Sequence, residues 1–142
     1  MNKKFPLEAQ QIMNDRFHKD SLIAVATMDG STPCVRAVNS FYEDGCFYTV
    51  TYALSGKMKQ IGENPIVAVS GEWFSAQGRG INLGWFGKVE NAPIADKMRR
   101  VFSAWIDNGH NNFEDENTCI LCIRLSTGVL FANGIRYETD FR

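Results

Sequence analysis

The sequence predicts a mainly β chain of the α+β class that folds into a small closed or partly closed antiparallel barrel. Several short runs rich in β-branched and aromatic residues recur at hairpin spacing. Asp29-Gly30 and Asp44-Gly45 separate the first three runs, and Asp-Gly pairs favour tight hairpin turns. The chain has 142 residues, of which 44% are apolar, so we expect one domain with a buried core.

The N-terminal part predicts one helix followed by three strands. Residues 6–19 open with a proline and carry apolar residues at helical spacing, which indicates an amphipathic helix. Residues 22–28 and 34–42 are apolar runs that each end at an Asp-Gly pair. A third run begins at Cys46, so we expect an antiparallel meander.

Residues 47–65 change hydrophobic period part-way along. Residues 47–52 are β-branched and aromatic, which favours a strand. From Ser55 the pattern becomes helical, with Met58 and Ile61 on one face and Asn64-Pro65 at the end. A short helix therefore begins near Ser55.

The C-terminal half predicts four more strands and a longer helix. Residues 66–74 and 81–89 form two strands joined by a loop over 75–80. Asn91 caps an amphipathic helix whose apolar residues recur at spacings of three and four, and Asn108-Gly109 ends it. Residues 110–117 are polar and irregular. Residues 118–126 and 129–132 form two strands across a turn at Thr127-Gly128.

Charge and hydropathy argue against two classes of partner. The net charge is −1 with acidic and basic residues interspersed, which is not the pattern of a nucleic-acid or membrane-surface protein. The first twenty residues have no apolar run of signal-peptide length, and no later run approaches the length of a membrane span. We therefore expect a cytoplasmic protein without nucleic-acid or membrane partners.

The four cysteines include a Cys119-Ile-Leu-Cys122 spacing that also occurs in metal and redox sites. The surrounding residues predict a strand, where these two side chains would point to opposite faces. No second such pair and no neighbouring histidine pair accompany them. We therefore expect buried apolar thiols and no metal site, and we expect the same of Cys34 and Cys46.

An anion site is the strongest chemical signal in the residues themselves. Ser55, Gly56 and Lys57 lie at a predicted helix start, where free backbone N–H groups and the helix dipole favour a phosphate. Arg36 lies mid-strand, and the Asp-Gly turns bring strands two and three together, so both cations fall in one neighbourhood. The alternative is an ordinary N-cap, a solvated first-turn lysine and a solvent-facing arginine.

No hydrolytic constellation accompanies this signal. His18 and His110 lack a Ser, Cys or carboxylate partner at motif spacing and are predicted to lie at the surface. Gly78-Arg79-Gly80 does not continue into a dinucleotide fingerprint and is predicted to be a turn.

Several weak motifs occur in one order over residues 20–105. They are Ala-Val-Ala-Thr-Met-Asp-Gly (24–30), Pro-Cys-Val-Arg-Ala-Val-Asn (33–39), Phe-Tyr-Thr-Val-Thr (47–51), Ser-Gly-Lys (55–57), Glu-Asn-Pro-Ile-Val-Ala-Val (63–69) and Phe-Gly-Lys-Val-Glu (86–90). In this order they resemble the pyridoxamine 5′-phosphate oxidase-like split-barrel flavoproteins.

The resemblance implies one split antiparallel β-barrel domain over residues 1–142, with an N-terminal helix, a short phosphate-binding helix and one longer amphipathic helix. It also implies a homodimer with FMN between the two barrels. The FMN phosphate would be bound by Arg36, Lys57, Ser55 and the backbone of Gly56. The flavin ring and its chain would be contacted by Ala37, Val38, Asn39, Val50, Thr51 and, across a variable loop, Asn82.

Two departures limit the activity that the resemblance implies. The chain has no match for the C-terminal tryptophan and arginine segment of true pyridoxamine 5′-phosphate oxidases, and Gly56 stands where those enzymes usually carry arginine. We therefore expect an FMN-dependent oxidoreductase acting with a nicotinamide donor or an unknown small substrate, without vitamin B6 oxidation. The alternatives are a non-catalytic flavin-binding or stress-related dimeric module and a haem-binding member of the same fold.

Overall fold

The computed structural model describes residues 5–142, which form three α-helices and seven β-strands. In chain order the elements are α1 (Leu7–Phe17), β1 (Ser21–Asp29), β2 (Thr32–Glu43), β3 (Cys46–Tyr52), α2 (Gly56–Glu63), β4 (Ile66–Gly71), β5 (Phe74–Trp85), α3 (Ala92–Val101), β6 (Thr118–Ala132) and β7 (Ile135–Asp140). A single 3₁₀ turn, Val89–Asn91, leads into α3.

Six antiparallel strands close into a barrel. The hydrogen-bonded order is β3-β2-β1-β4-β5-β6-β7, and a further β3–β6 pairing joins the ends of the first six strands, which leaves β7 as an extra strand. The two predicted Asp-Gly hairpins are confirmed, with Asp29 paired to Thr32 and Glu43 paired to Cys46. Positive φ angles at Gly30 and Gly45 suit these tight turns.

Two apolar clusters hold the chain together. The first fills the barrel, and α2 closes one end of it with Met58 and Ile61. The second packs α3 on the outside of the barrel around Phe41, Met98 and Ile120. Strand β6 serves both clusters because alternate side chains face opposite sides: Leu121 points into the barrel and Ile120 points toward α3.

The loop predicted over residues 75–80 is wrong, because these residues lie inside β5. The turn comes earlier, at Glu72-Trp73, where Trp73 has a φ of 53°. Glycine is needed at these positions because neighbouring elements lie too close to the β5 backbone for a Cβ atom. A Cβ at Gly78 would lie 2.4 Å from the Arg124 carbonyl oxygen, and one at Gly80 would lie 2.8 Å from the Ile61 side chain.

The turn predicted at Thr127-Gly128 is also wrong, since β6 runs through it without interruption. Gly128 lies in contact with the neighbouring strand, where a Cβ would meet the Ser75 carbonyl oxygen at 2.6 Å. The chain turns at Asn133-Gly134, where both residues have positive φ. The following strand, β7, was not predicted, although its Asn-Gly turn is a recognised hairpin signal.

Three features around α3 differ from the prediction. The helix ends at Val101, before the predicted stop at Asn108-Gly109. The strand predicted over residues 81–89 ends at Trp85, after a bulge in which Gly84 has a φ of 89°. Asn91 precedes α3 but does not cap it; its side-chain amide donates to the Leu83 and Trp85 carbonyls instead. The polar segment over residues 110–117 is irregular, as predicted.

The cysteines divide into two pairs by burial. Cys119 and Cys122 are buried and lie on opposite faces of β6, as expected, whereas Cys34 and Cys46 are half-exposed and correct the expectation of four buried thiols. His18 and His110 are exposed, as predicted. Within residues 5–142, no helix combines the length and hydropathy that a membrane span requires.

Candidate functional site

The barrel is open between β2 and β3. These strands pair only from Phe41–Tyr48 to Glu43–Cys46, although β2 extends back to Thr32 and β3 extends forward to Tyr52. At the fork, the Thr49 hydroxyl donates to the Asn39 carbonyl oxygen at 2.7 Å. We call this opening the split. One backbone edge of β2 therefore stays free of strand pairing along the split.

Arg36 lies on β2 within the split, on the barrel-facing side of the strand. Its guanidinium donates to the Thr27 hydroxyl at 2.6 Å, to the Gln60 side-chain oxygen at 3.2 Å and to the Val25 carbonyl at 3.3 Å. Thr27 in turn donates to Gln60 at 2.5 Å. Because these partners come from β1 and α2, they hold the guanidinium in one orientation.

Helix α2 begins at the same opening, as predicted. The Ser55 hydroxyl accepts from the Met58 backbone N–H at 3.3 Å and caps the helix. The N–H groups of Gly56 and Lys57 have no partner within the helix, because they belong to its first turn. Gly56 has no heavy atom within 4 Å of the place where a Cβ would stand, so this helix start is open to a ligand.

Lys57 and Arg36 are close enough for their charges to interact. Burial of the Lys57 ammonium lowers its pKa from the usual 10.5, and the positive charge of Arg36 lowers that pKa further. Among residues 5–142, no carboxylate lies within ion-pair distance of either side chain. The site therefore holds two neighbouring cations without an internal anion.

This arrangement fits a phosphate monoester. A doubly charged phosphate would offset the repulsion between Arg36 and Lys57 and accept hydrogen bonds from both side chains and from the start of α2. A neutral ligand would leave that repulsion in place. The structure thus brings together four of the residues predicted to bind phosphate: Arg36, Ser55, Gly56 and Lys57.

The predicted ring-contacting residues on β3 point to opposite sides. Thr51 pairs with Cys119 and shares its barrel-facing side, which is also the side whose thiol interacts with Lys57. Val50 packs against the outer cluster beneath α3. Thr51 therefore belongs to the neighbourhood of Lys57, whereas Val50 is separated from it by the strand.

The predicted residues on β2 also alternate. Val38 is half-buried and packs against the barrel core, whereas Ala37 and Asn39 are exposed on the outer face. Asn39 donates to an Asp20 carboxylate oxygen at 3.0 Å. The backbone groups of Ala37 and Asn39 point to the edge of β2 at the split, whereas those of Val38 point to β1, because the bonding direction alternates along an antiparallel strand.

Asn82 lies on β5, on the far side of β6 from Thr51. Its side-chain oxygen accepts from the Gly84 N–H at 2.8 Å and stabilises the bulge that ends β5. The side chain is exposed. This contact gives Asn82 a local structural role beside the predicted one.

Sequence reasoning missed Thr27 and Gln60. Thr27 lies within the 24–30 motif, but nothing in that motif or in the spacing of the two residues indicates that both contact Arg36. Their shared role depends on the position of α2 against β1. Residues 5–142 contain no cluster of three or more His, Cys, Asp or Glu side chains arranged to hold a metal.

Comparisons with known proteins identify the fold. No protein-family model and no curated protein sequence matches the chain. Among solved structures, an FAD-binding protein from Mesorhizobium loti has a TM-score of 0.66 at 17% identity, over 87% of this chain and 91% of that one. A Clostridium acetobutylicum protein related to general stress protein 26, of the pyridoxinephosphate oxidase family, has a TM-score of 0.60 at 14% identity, over 99% and 96%.

The chain therefore has the split-barrel fold of these proteins. A third similar structure is a haem-binding protein from Mycobacterium smegmatis, with a TM-score of 0.63 at 12% identity over 87% of this chain and 54% of that one. The fold predicted from the resemblance is confirmed, and it occurs with more than one cofactor.

Proposed function

We propose that this protein binds FMN at the split and acts as an FMN-dependent oxidoreductase on a small substrate. The observation that carries the proposal is the approach of Arg36 and Lys57 at an open helix start, with no carboxylate partner among the described residues. FMN ends in a phosphate monoester, which matches this charge. Haem carries carboxylates but no phosphate.

Each group at the split has a distinct role in this proposal. Arg36 and Lys57 neutralise the phosphate, and the N–H groups of Gly56 and Lys57 donate to it. The free edge of β2 at Ala37 and Asn39 offers backbone hydrogen bonds to the edge of the flavin ring, whereas Val38 would contact the ring through its side chain. Thr51 lines the barrel-facing side between the phosphate and the ring.

The bound flavin would supply the redox chemistry by accepting and releasing a hydride or electrons. The protein then needs no acid or base of its own at motif spacing. Its residues bind the phosphate, orient the ring and exclude water from one side. The absence of a hydrolytic constellation is consistent with this division of roles.

A homodimer would complete the site. The outer face of the β2-β1-β4 sheet exposes apolar side chains, with Val35 at 69%, Leu22 at 65% and Ile66 at 50% of their maximal exposure. Apolar side chains exposed on one face favour contact with another chain. Because Ala37 and Asn39 lie on the same outer face, a second barrel packed there would cover the β2 edge of the flavin site.

Two measurements test the cofactor. The absorbance spectrum of the purified protein distinguishes flavin bands in the blue from the Soret band of haem. Titration with FMN and riboflavin then tests the phosphate site, and we expect FMN to bind at least tenfold more tightly because one charged contact contributes about 1.5–3 kcal/mol. Equal affinity for the two flavins, or a Soret band without flavin, would contradict the proposal.

Activity and assembly have separate tests. Bound FMN that is bleached by NADH or NADPH and recovers in air supports an enzyme, whereas inertness toward every donor supports a non-catalytic module.

A dimeric mass in solution with one FMN per chain supports the proposed dimer interface. A monomer that retains stoichiometric FMN would argue against it.

A further inference from the structure

The opposite end of β3 carries two cysteines that the proposed function does not use. Cys46 is the first residue of β3 and pairs with Arg124, while Tyr48 pairs with Cys122. Because side chains two residues apart share a face, Cys46 and Cys122 lie one diagonal step apart on the same side of β3 and β6. We call Cys46 and Cys122 the thiol pair.

The two thiols differ in accessibility and interact directly. Cys122 is 4% exposed, whereas Cys46 is only half-buried. The side chains of Cys46 and Cys122 are close enough for each to shift the pKa of the other, and Tyr48 affects both. An oxidant can therefore reach Cys46, while Cys122 lies buried at the diagonal position on the neighbouring strand.

The surroundings give the two sulfurs different protonation states. The hydrogen bond from Cys122 lowers the pKa of Cys46 from 9.0 to about 6, against the effect of burial and with help from Tyr48 and the Arg124 guanidinium. The same hydrogen bond and burial raise the pKa of Cys122. The more exposed sulfur is therefore the one whose thiolate, the nucleophilic form, is favoured.

Formation of a bond requires a small backbone movement. Diagonal neighbours in an antiparallel sheet lie about 7–8 Å apart, and a disulfide needs Cα atoms within about 7 Å. Cys46 follows Gly45, whose φ of 83° places it in a turn at the end of the hairpin. This end of β3 is already joined to β6, because the Leu125 N–H donates to the Gly45 carbonyl oxygen at 2.9 Å, and it lies away from the split.

We propose that Cys46 and Cys122 are a redox-active pair that a hydroperoxide converts to a reversible disulfide. The Cys46 thiolate attacks hydrogen peroxide, the O–O bond breaks, and Cys46 becomes a sulfenic acid with release of hydroxide. The Cys122 sulfur then displaces that hydroxyl group as water, carrying off the Cys122 proton. Two thiols lose two electrons, and an external dithiol reverses the change.

The other two thiols provide internal controls. Cys34 is also half-exposed, but its S–H donates to the Thr32 carbonyl oxygen at 3.8 Å and not to another thiol. Cys119 is buried on the barrel-facing side of β6, away from the thiol pair. The proposal does not depend on a bound flavin.

The experiment treats the full chain with one equivalent of hydrogen peroxide at pH 7 and follows intact mass and peptide maps. We expect a loss of two hydrogens, a link between the peptides that contain Cys46 and Cys122, and full reversal by dithiothreitol. Cys122→Ser should stop at a sulfenic acid on Cys46 that dimedone traps. Cys34→Ser should behave as the wild type.

A rate measurement on the wild-type protein tests the proposal without depending on the folding of any variant. Iodoacetamide at pH 7 should label Cys46 at least tenfold faster than Cys34. Equal rates for the two thiols would overturn the proposal. So would oxidation of Cys46 to sulfinic acid without a link to Cys122, or a disulfide that joins Cys34 of two chains.

Discussion

The two ends of β3 differ in whether a negatively charged group of the protein lies beside the positive side chains. At the hairpin end, Arg124 pairs with Cys46 and adds to the effect of Cys122 in lowering the pKa of the Cys46 thiol. At the split end, Lys57 and Arg36 face each other with no carboxylate partner within residues 5–142. A cation that has an internal anion stabilises a reactive group, whereas paired cations without one favour binding of an external anion.

The largest effect should come from removing both cations at the split. We expect Arg36→Met with Lys57→Met to weaken FMN binding by at least roughly a hundredfold, and each single change by roughly ten- to a hundredfold, since each charged contact contributes about 1.5–3 kcal/mol. Fluorescence titration measures this. Lys59→Met is the matched control, because Lys59 lies on the same helix and is exposed.

The next effect tests the hairpin end. We expect Cys122→Ala to slow alkylation of Cys46 at pH 7 by up to about tenfold, because the thiolate loses the hydrogen bond that lowers its pKa to about 6. Residue-resolved mass spectrometry measures the rates. Cys119→Ala removes a buried thiol of the same strand from the other face, and it should leave the Cys46 rate unchanged.

A smaller effect should follow from releasing Arg36 from its partners. We expect Gln60→Leu to weaken FMN binding by roughly three- to tenfold, because one hydrogen bond that orients the guanidinium is lost while its charge remains. Riboflavin affinity should stay constant. A Gln60→Leu protein that binds FMN like the wild type would show that Arg36 needs no such support.

The smallest effect is a pH dependence. The pKa of Lys57 is lowered in the free protein, and a bound phosphate would raise it, so binding takes up a proton as pH rises through the free-state value. The ratio of FMN to riboflavin affinity should therefore fall in alkaline solution. Riboflavin corrects for titration of the ring. Lys57→Met should abolish the trend, and its persistence in that variant would contradict the assignment.

Features that depend on residues close together in the sequence were predicted correctly, and features that depend on distant residues were not. The Asp-Gly hairpins, the Ser55 cap and the start of α2 depend on neighbouring residues, and all three were predicted. The glycines at 78, 80 and 128 resembled turn residues. They are required instead by backbone or side chains from other elements, which a local pattern cannot reveal.

The sequence by itself determined the antiparallel barrel, the start of α2 and the residues of the predicted anion site. Turn chemistry and hydrophobic period act over a few residues, so they can be seen in the sequence. Only the tertiary structure decided that β2 and β3 separate at a split beside Arg36, that Thr27 and Gln60 hold Arg36, and that Cys46 lies diagonal to Cys122. Strand register and the packing of α2 set these contacts. They depend on residues far apart in the chain.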